Sequence, residues 1–267
     1  PEWRSFTDVQ VLHSNGDQLY AGIDNEVWAL TDETWLRVNN SDGAVPWPRQ
    51  SSAYALASHN GKLFVGLTGE AARVFRFSGE QWEDISKGLP SELTGGVYEL
   101  HVHTDGRLYA GTISLAAPGR VYRFDDQSWT LVGGGGIQGS WVSPGSNYPL
   151  SITSYQDGLI VTLNRNPQVP GAFVSIWALQ AARWHPVGRH GVPVLWGETD
   201  NFNASIGYMD RLYVGGGGRP PGNAGIWEYS PERGWVQVGG RGVNGSGSPN
   251  RERMSGSRHA TAEYVYR

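Results

Sequence analysis

Cysteine is absent from the 267-residue sequence, which excludes a disulfide framework, a thiolate nucleophile and a Cys-ligated zinc site. Charge is also scarce: charged residues make up 17%, and 21 Lys+Arg against 25 Asp+Glu leave a net charge of −4. The basic residues are scattered singly, which argues against nucleic-acid binding and against polybasic attachment to a membrane. No apolar run approaches the roughly 18 residues of a spanning helix, so we expect no membrane insertion.

Glycine and aromatic residues are abundant instead. The chain has 38 Gly, 12 Trp, 12 Tyr and 7 Phe. These aromatic residues are enough to fill a large core, and a disordered chain has few of them, so we expect this chain to fold. The sequence starts at Pro1 without an initiator Met or a signal peptide, and we expect a mature or trimmed product. The lack of cysteine favours an exported bacterial protein, in the extracellular space or the periplasm.

One sequence unit recurs along the whole chain: a polar turn, then Leu, an aromatic or aliphatic residue, a small residue and, in most copies, Gly. Asn60-Gly61-Lys62-Leu63-Phe64-Val65-Gly66 is one copy, and the spacing between copies is 44 to 53 residues. Asn-Gly and Asp-Gly turns between alternating apolar residues predict β-hairpins. The leucines that mark the five copies are Leu19, Leu63, Leu108, Leu159 and Leu212.

Each copy predicts four short antiparallel strands, because a second alternating segment and a Trp follow the Leu unit and an apolar segment precedes it. Four strands repeated at this period are typical of the blades of a β-propeller, an all-β fold. We predict a single domain over residues 1–267 with five complete blades. The terminal segments 1–6 and 261–267 either form the outer and inner strands of a sixth, shared blade or pack as tails alongside a five-bladed ring. The five blades are predicted at 9–38, 54–85, 97–132, 150–187 and 204–238.

At these residues the chain resembles kelch-like and regulator-type bacterial β-propellers. The segment Gly88-Leu89-Pro90-Ser91, followed by Asp105-Gly106-Arg107-Leu108-Tyr109, is similar to the repeat of propeller sensor domains. The Gly215-Gly216 doublet before Tyr229 and Trp235 is similar to kelch repeats. The Trp-turn pattern also resembles lectin propellers of the tachylectin type. The resemblance covers scaffold positions, so it implies the fold, and function must be inferred from sites.

Three connections between predicted blades combine a Trp with polar residues. An aromatic face stacks on the apolar side of a pyranose, and planar polar groups make bidentate hydrogen bonds to hydroxyls, so these connections predict a carbohydrate site. The same tryptophans would alternatively fill gaps between blades. The predicted ligand-binding residues are Trp47, Arg49, Trp141, Asn147, Tyr148, Arg165, Trp196, Glu198, Asp200 and Asn201.

Catalytic and metal-binding patterns are weak in this sequence. His101 and His103 lie on one face of a predicted inner strand, but the spacing shows no third ligand, and we predict neither a metal nor a cofactor. Glu99 and Glu263 are the inner-strand carboxylates, too few to predict converging glycosidase acids, and we assign no catalytic residue.

The combined prediction is a lectin-like propeller that binds a carbohydrate or glycoconjugate through loops on one face. The first alternative is a protein-interaction or sensor propeller that uses the same face. The second is a polysaccharide lyase or glycoside hydrolase with its site at the mouth of the channel.

Overall fold

The computed structural model describes residues 8–91, 95–114, 118–142, 148–164, 174–187, 199–218, 224–240 and 243; for 199–201 and 218 it describes only the backbone. Over these ranges the chain forms twenty β-strands, one 3-10 turn at Ile137–Gly139 and no α-helix. Within the same ranges, no helix is long and apolar enough to cross a membrane.

The first compact unit contains the described residues up to Val132, and the second contains those from Gly133 onwards. Three four-stranded groups, blades 1 to 3, belong to the first unit. Their strands are β1 (Val9–Asn15), β2 (Gln18–Ile23), β3 (Glu26–Thr31) and β4 (Thr34–Arg37); β5 (Ser52–His59), β6 (Lys62–Gly69), β7 (Arg73–Phe77) and β8 (Trp82–Asp84); and β9 (Gly95–Val102), β10 (Leu108–Ser114), β11 (Arg120–Phe124) and β12 (Trp129–Gly133), which ends at the boundary.

The second unit contains blades 4 and 5. Their strands are β13 (Tyr148–Tyr155), β14 (Gly158–Asn164), β15 (Ser175–Gln180) and β16 (Arg183–Pro186), followed by β17 (Thr199–Tyr208), β18 (Arg211–Gly218), β19 (Gly225–Ser230) and β20 (Gly234–Gly240). In every blade the strands pair antiparallel in chain order. This confirms the predicted four strands per repeat.

The hairpin turns follow the turn chemistry of the sequence. Asn60 and Gly61, between β5 and β6, have φ angles of 51° and 70°. Two consecutive positive φ angles define the turn type whose twist matches that of paired strands, and Asn-Gly is the pair that adopts it most readily. In each blade strand two ends, and strand three begins, at the end of the blade opposite to this turn, called here the connecting edge.

The glycine of the repeat allows the next blade to approach closely. A Cβ atom built on Gly66 in β6 would lie 2.6 Å from Cγ1 of Val97 in β9, and one on Gly22 in β2 would collide with the carbonyl oxygen of Ala53 in β5. The edge of β6 also pairs with β9 at Thr68–Gly96, which joins blades 2 and 3 into one eight-stranded sheet. At Gly22 and Gly66 a glycine is therefore required by the packing of the next blade.

In blades 2, 3 and 5 the tryptophan of the fourth strand is hydrogen-bonded to the preceding blade. Trp82 Nε1 donates to the carbonyl oxygen of Val38 at 2.8 Å, and Trp129 Nε1 donates to that of Ile85 at 2.9 Å. In the second unit, Trp235 Nε1 donates to the Val187 carbonyl oxygen at 3.2 Å. We call this repeated bond the tryptophan clamp; it confirms that the recurring Trp packs between blades. The terminal segments 1–6 and 261–267 lie outside the described residues.

Candidate functional site

Every first strand carries a β-bulge at the same position of the repeat. In β5, for example, Ala53 pairs with Leu67 and Ala55 pairs with Gly66, so the residue between them has no partner on β6. A bulge of this kind redirects a side chain and interrupts the ladder, and such bulges are frequent beside binding sites. The bulged residues of blades 1 to 5 are Gln10, Tyr54, Tyr98, Leu150 and Asn203.

In blades 2 and 3 the bulged side chain is accessible beside buried neighbours. Ala53 and Ala55 are 0% and 3% exposed, whereas Tyr54 between them is half-buried. Tyr98 is half-buried in the same way after the fully buried Val97. The bulge therefore places partly accessible tyrosines near the connecting edge of blades 2 and 3.

The two tyrosines form an aromatic pair in the first unit. Their ring centroids lie 4.3 Å apart with an interplanar angle of 48°. Burial, with smaller contributions from the neighbouring Tyr98 and Asp8, raises the pKa of Tyr54 to about 12. The Tyr54 hydroxyl therefore stays protonated and able to donate a hydrogen bond at neutral pH. We call Tyr54, Tyr98, Gln10 and Asp8 the bulge site.

Trp47 and Trp141 do not offer a free stacking face, and we correct their assignment. Trp47 is 4% exposed, its Nε1 donates to the Asn25 carbonyl oxygen at 2.7 Å, and its ring meets Trp82 edge-on at 5.2 Å. Trp141 is 3% exposed and meets Trp184 edge-on, also at 5.2 Å. Both indoles therefore fill space against a fourth-strand Trp, the packing role that the sequence left open.

The other predicted binding residues are dispersed or lie outside the described part of the chain. Arg49 is exposed in the connection before β5, and Tyr148 is half-buried at the start of β13 in the second unit. The backbones of Asp200 and Asn201 belong to β17, but their side chains are not among those described. The residues outside the described ranges are Asn147, Arg165, Trp196 and Glu198.

The two histidines of β9 and its turn have different environments. His103 is 7% exposed and packs edge-on against Tyr109 at 5.9 Å, whereas His101 is half-buried. Within the described ranges, no three His, Asp or Glu side chains are close enough to hold a metal ion.

Sequence reasoning missed the bulge site because it weighted tryptophans over tyrosines. A signal was present: the bulged residue stands nine or ten positions before the Leu of each repeat, where blades 2 and 3 both carry Tyr. Blade 5 carries Asn203 there, and its buried Oδ1 has no hydrogen-bond partner among the described residues.

Similarity to known proteins is confined to structure. No protein-family model matches the sequence, and neither does any curated protein. One similar structure is the extracellular domain of a protein described as a hybrid two component system from B. thetaiotaomicron, with a TM-score of 0.60 at 12% identity. That match covers 88% of this chain, but this chain spans only 28% of the other.

Two further structures match over most of both chains. A polysaccharide lyase described as an ulvan lyase with a bound saccharide has a TM-score of 0.55 at 10% identity, over 88% of this chain and 72% of the other. YCF48 bound to a D1 peptide has a TM-score of 0.53 at 13% identity, over 88% and 71%. The fold is a β-propeller. At these identities the likeness shows the propeller fold alone, and membership of the kelch group is not established by it.

Proposed function

We propose that this propeller is a carbohydrate-binding protein that holds a sugar at the bulge site. The observation that carries the proposal is the tyrosine pair, two half-buried rings 4.3 Å apart that the β-bulges place near one edge of adjacent blades. An aromatic ring stacks on the apolar face of a pyranose, and a pair of tilted rings offers two aromatic faces for such stacking.

Polar groups at the start of blade 1 match the other requirement of sugar recognition. Gln10 occupies the same bulge position in blade 1, and Asp8 lies close enough to Tyr54 to raise the pKa of its phenol. The amide of Gln10 can donate and accept hydrogen bonds, and the carboxylate of Asp8 can accept them, as the hydroxyl groups of a sugar require. The protonated Tyr54 hydroxyl adds a donor. Extracellular or periplasmic action, as the sequence suggested, would suit such a ligand.

The first experiment is a glycan-array screen of the purified chain, followed by calorimetry with the glycans that bind. We expect Tyr54→Ala and Tyr98→Ala each to weaken binding at least tenfold, because each removes a ring that stacks on the sugar. A tenfold loss corresponds to about 1.4 kcal/mol of binding free energy. Tyr54→Phe keeps the ring and should stay within about threefold of wild type, which corresponds to less than 1 kcal/mol.

Tyr208→Ala is the matched control, because Tyr208 is a 56%-exposed tyrosine at the opposite end of a first strand, in blade 5. It should leave affinity unchanged. A blank array with folded protein would overturn the proposal and favour a protein partner. Full affinity in both alanine variants, with unchanged melting curves, would place the sugar elsewhere. The lyase or hydrolase alternative predicts new reducing ends or unsaturated products when the bound polysaccharide is incubated with the protein.

A further inference from the structure

Two adjacent pockets open on the connecting edge of blade 2. The first has a volume of about 220 Å³ and the second about 380 Å³. Arg73 and Asp84 line both pockets, and their side chains form an ion pair at 2.9 Å between Nη1 and Oδ2. The two pockets are therefore neighbouring parts of one groove, and the Arg73–Asp84 ion pair separates them.

The groove adjoins the bulge site along the chain and across the sheet. Ser51 lines the first pocket, and Tyr54 follows it by three residues, about 10 Å at the rise of an extended strand. On the other side, β6 ends at Gly69, which pairs with Gly95 three residues before Tyr98. The groove and the tyrosine pair thus lie at the same ends of β5 and β9.

The first pocket combines a small apolar surface with planar polar groups. Phe75 in its floor is 5% exposed and is backed by Trp47, whose ring centroid lies 5.1 Å away. Around this apolar floor are planar hydrogen-bonding groups, among them Gln50 and Glu70, which are joined by a 3.4 Å hydrogen bond from Nε2 to Oε1. Trp47 therefore supports a pocket wall from beneath instead of touching a ligand.

The second pocket is more basic than the first. Lys87 lines it together with Arg73 and Asp84, whereas Glu70 belongs only to the first pocket. Successive compartments with different polar groups suit successive units of a polymer better than one small molecule.

We propose that the ligand is an oligosaccharide chain, which starts at the tyrosine pair and continues outward through the two pockets of blade 2. This inference rests on the proposed function and adds the length of the ligand and the residues that bind its distal units. Arg73 and Asp84 contact those distal units in the groove.

The test measures dissociation constants for homologous series of one to six units, with chito-, cello-, xylo- and galacturonan oligosaccharides as probes. For the series that binds, we expect wild-type affinity to rise at least tenfold from one to four units. In Arg73→Ala that rise should largely disappear while affinity for the single unit stays unchanged. The Arg73–Asp84 pair is exposed (49% and 41%), and exposed pairs contribute little to stability, so the variant should fold.

Arg76→Ala is the matched control, since Arg76 also lies on β7 and pairs with Glu83 on β8, but lines neither pocket. It should keep the full rise with length. Tyr54→Ala should weaken binding of every length. Affinity that does not depend on length, or an Arg73→Ala effect equal at all lengths, would overturn the extended groove and leave the bulge site standing. Failure of every series to bind would overturn both proposals.

Discussion

Tyr54 combines partial exposure with an environment that holds its proton. The Ala residues on either side of it are buried, and Tyr98 covers part of its ring. Burial is the largest cause of its raised pKa, and Asp8 adds to it because a phenolate would be repelled by a nearby carboxylate. A second phenol, Tyr109, has a pKa of about 12 through burial and a 2.8 Å hydrogen bond to Asp105.

These two phenols predict a loss of stability at high pH. In the unfolded chain a tyrosine ionises near pH 10, whereas in the folded chain Tyr54 and Tyr109 ionise near pH 12. Their contribution to the free energy of unfolding is therefore fully present below pH 10, and it disappears as the pH rises from about 10 to about 12. The free energy of unfolding in urea, measured at intervals over that window, should fall less steeply in the Tyr54→Phe/Tyr109→Phe double variant than in wild type. Identical pH profiles would contradict this assignment.

At the scale of the residue, the sequence could predict identity but not exposure. Trp47 and Tyr54 are both aromatic, both near the start of blade 2, and both have apolar direct neighbours, Pro on each side of Trp47 and Ala on each side of Tyr54. Trp47 is buried because Trp82 and Phe75 close around it, and Tyr54 is half-exposed because a bulge turns it out of the ladder. Neither the burial of Trp47 nor the exposure of Tyr54 depends on the residues adjacent to them in sequence.

At the scale of the element, strands and turns follow local chemistry closely. In blades 2 and 3 the fourth-strand Trp packs on a third-strand aromatic of its own blade, with ring centroids 5.0 Å apart for Phe77 and Trp82 and 4.9 Å for Phe124 and Trp129. The indole N–H then reaches the preceding blade. The alternation of residues and the recurring Trp were sufficient to predict these strands, whereas the backbone acceptor of each clamp was not predictable.

The tryptophan clamp predicts a specific cost for the loss of one N–H. Trp129→Phe retains most of the ring but leaves the Ile85 carbonyl oxygen buried without its donor, so we expect a loss of about 1–3 kcal/mol in the free energy of unfolding. Trp177→Phe is a suitable control, because the half-buried Trp177 donates to the Ser175 hydroxyl, which water can replace. Urea titration followed by circular dichroism measures both. An equal loss in the two variants would argue against the clamp.

At the scale of the whole molecule, the repeat extends to the N-terminal segment of the sequence. Trp3 and Phe6 have the spacing of Trp82 and Ile85, the clamp tryptophan and the acceptor position of blade 2. The same spacing at Trp35 and Val38 marks blade 1. By this analogy, residue 6 would supply the acceptor for Trp35, and the terminal segments would share a blade.

Deletion of residues 1–6 should therefore lower the melting temperature by about 5 °C or more, as expected when a chain of this size loses about 3 kcal/mol or more. Deletion of Pro1 and Glu2 alone is the control, since it spares Trp3 and Phe6, and it should leave the melting temperature unchanged. Calorimetry measures both truncations. If the longer deletion melted like the full chain, the shared terminal blade would be wrong.

The sequence alone determined the all-β class, the four strands of each repeat, the hairpin turns and the tryptophans that join blades. These features depend on alternation, turn residues and a period, all of which are local and repeated. Only the tertiary structure decided which aromatic residues are covered and which are accessible. That outcome depends on how closely successive blades approach and on bulges that change the direction of a single side chain, so residues far apart in sequence assemble the bulge site and the groove beside it.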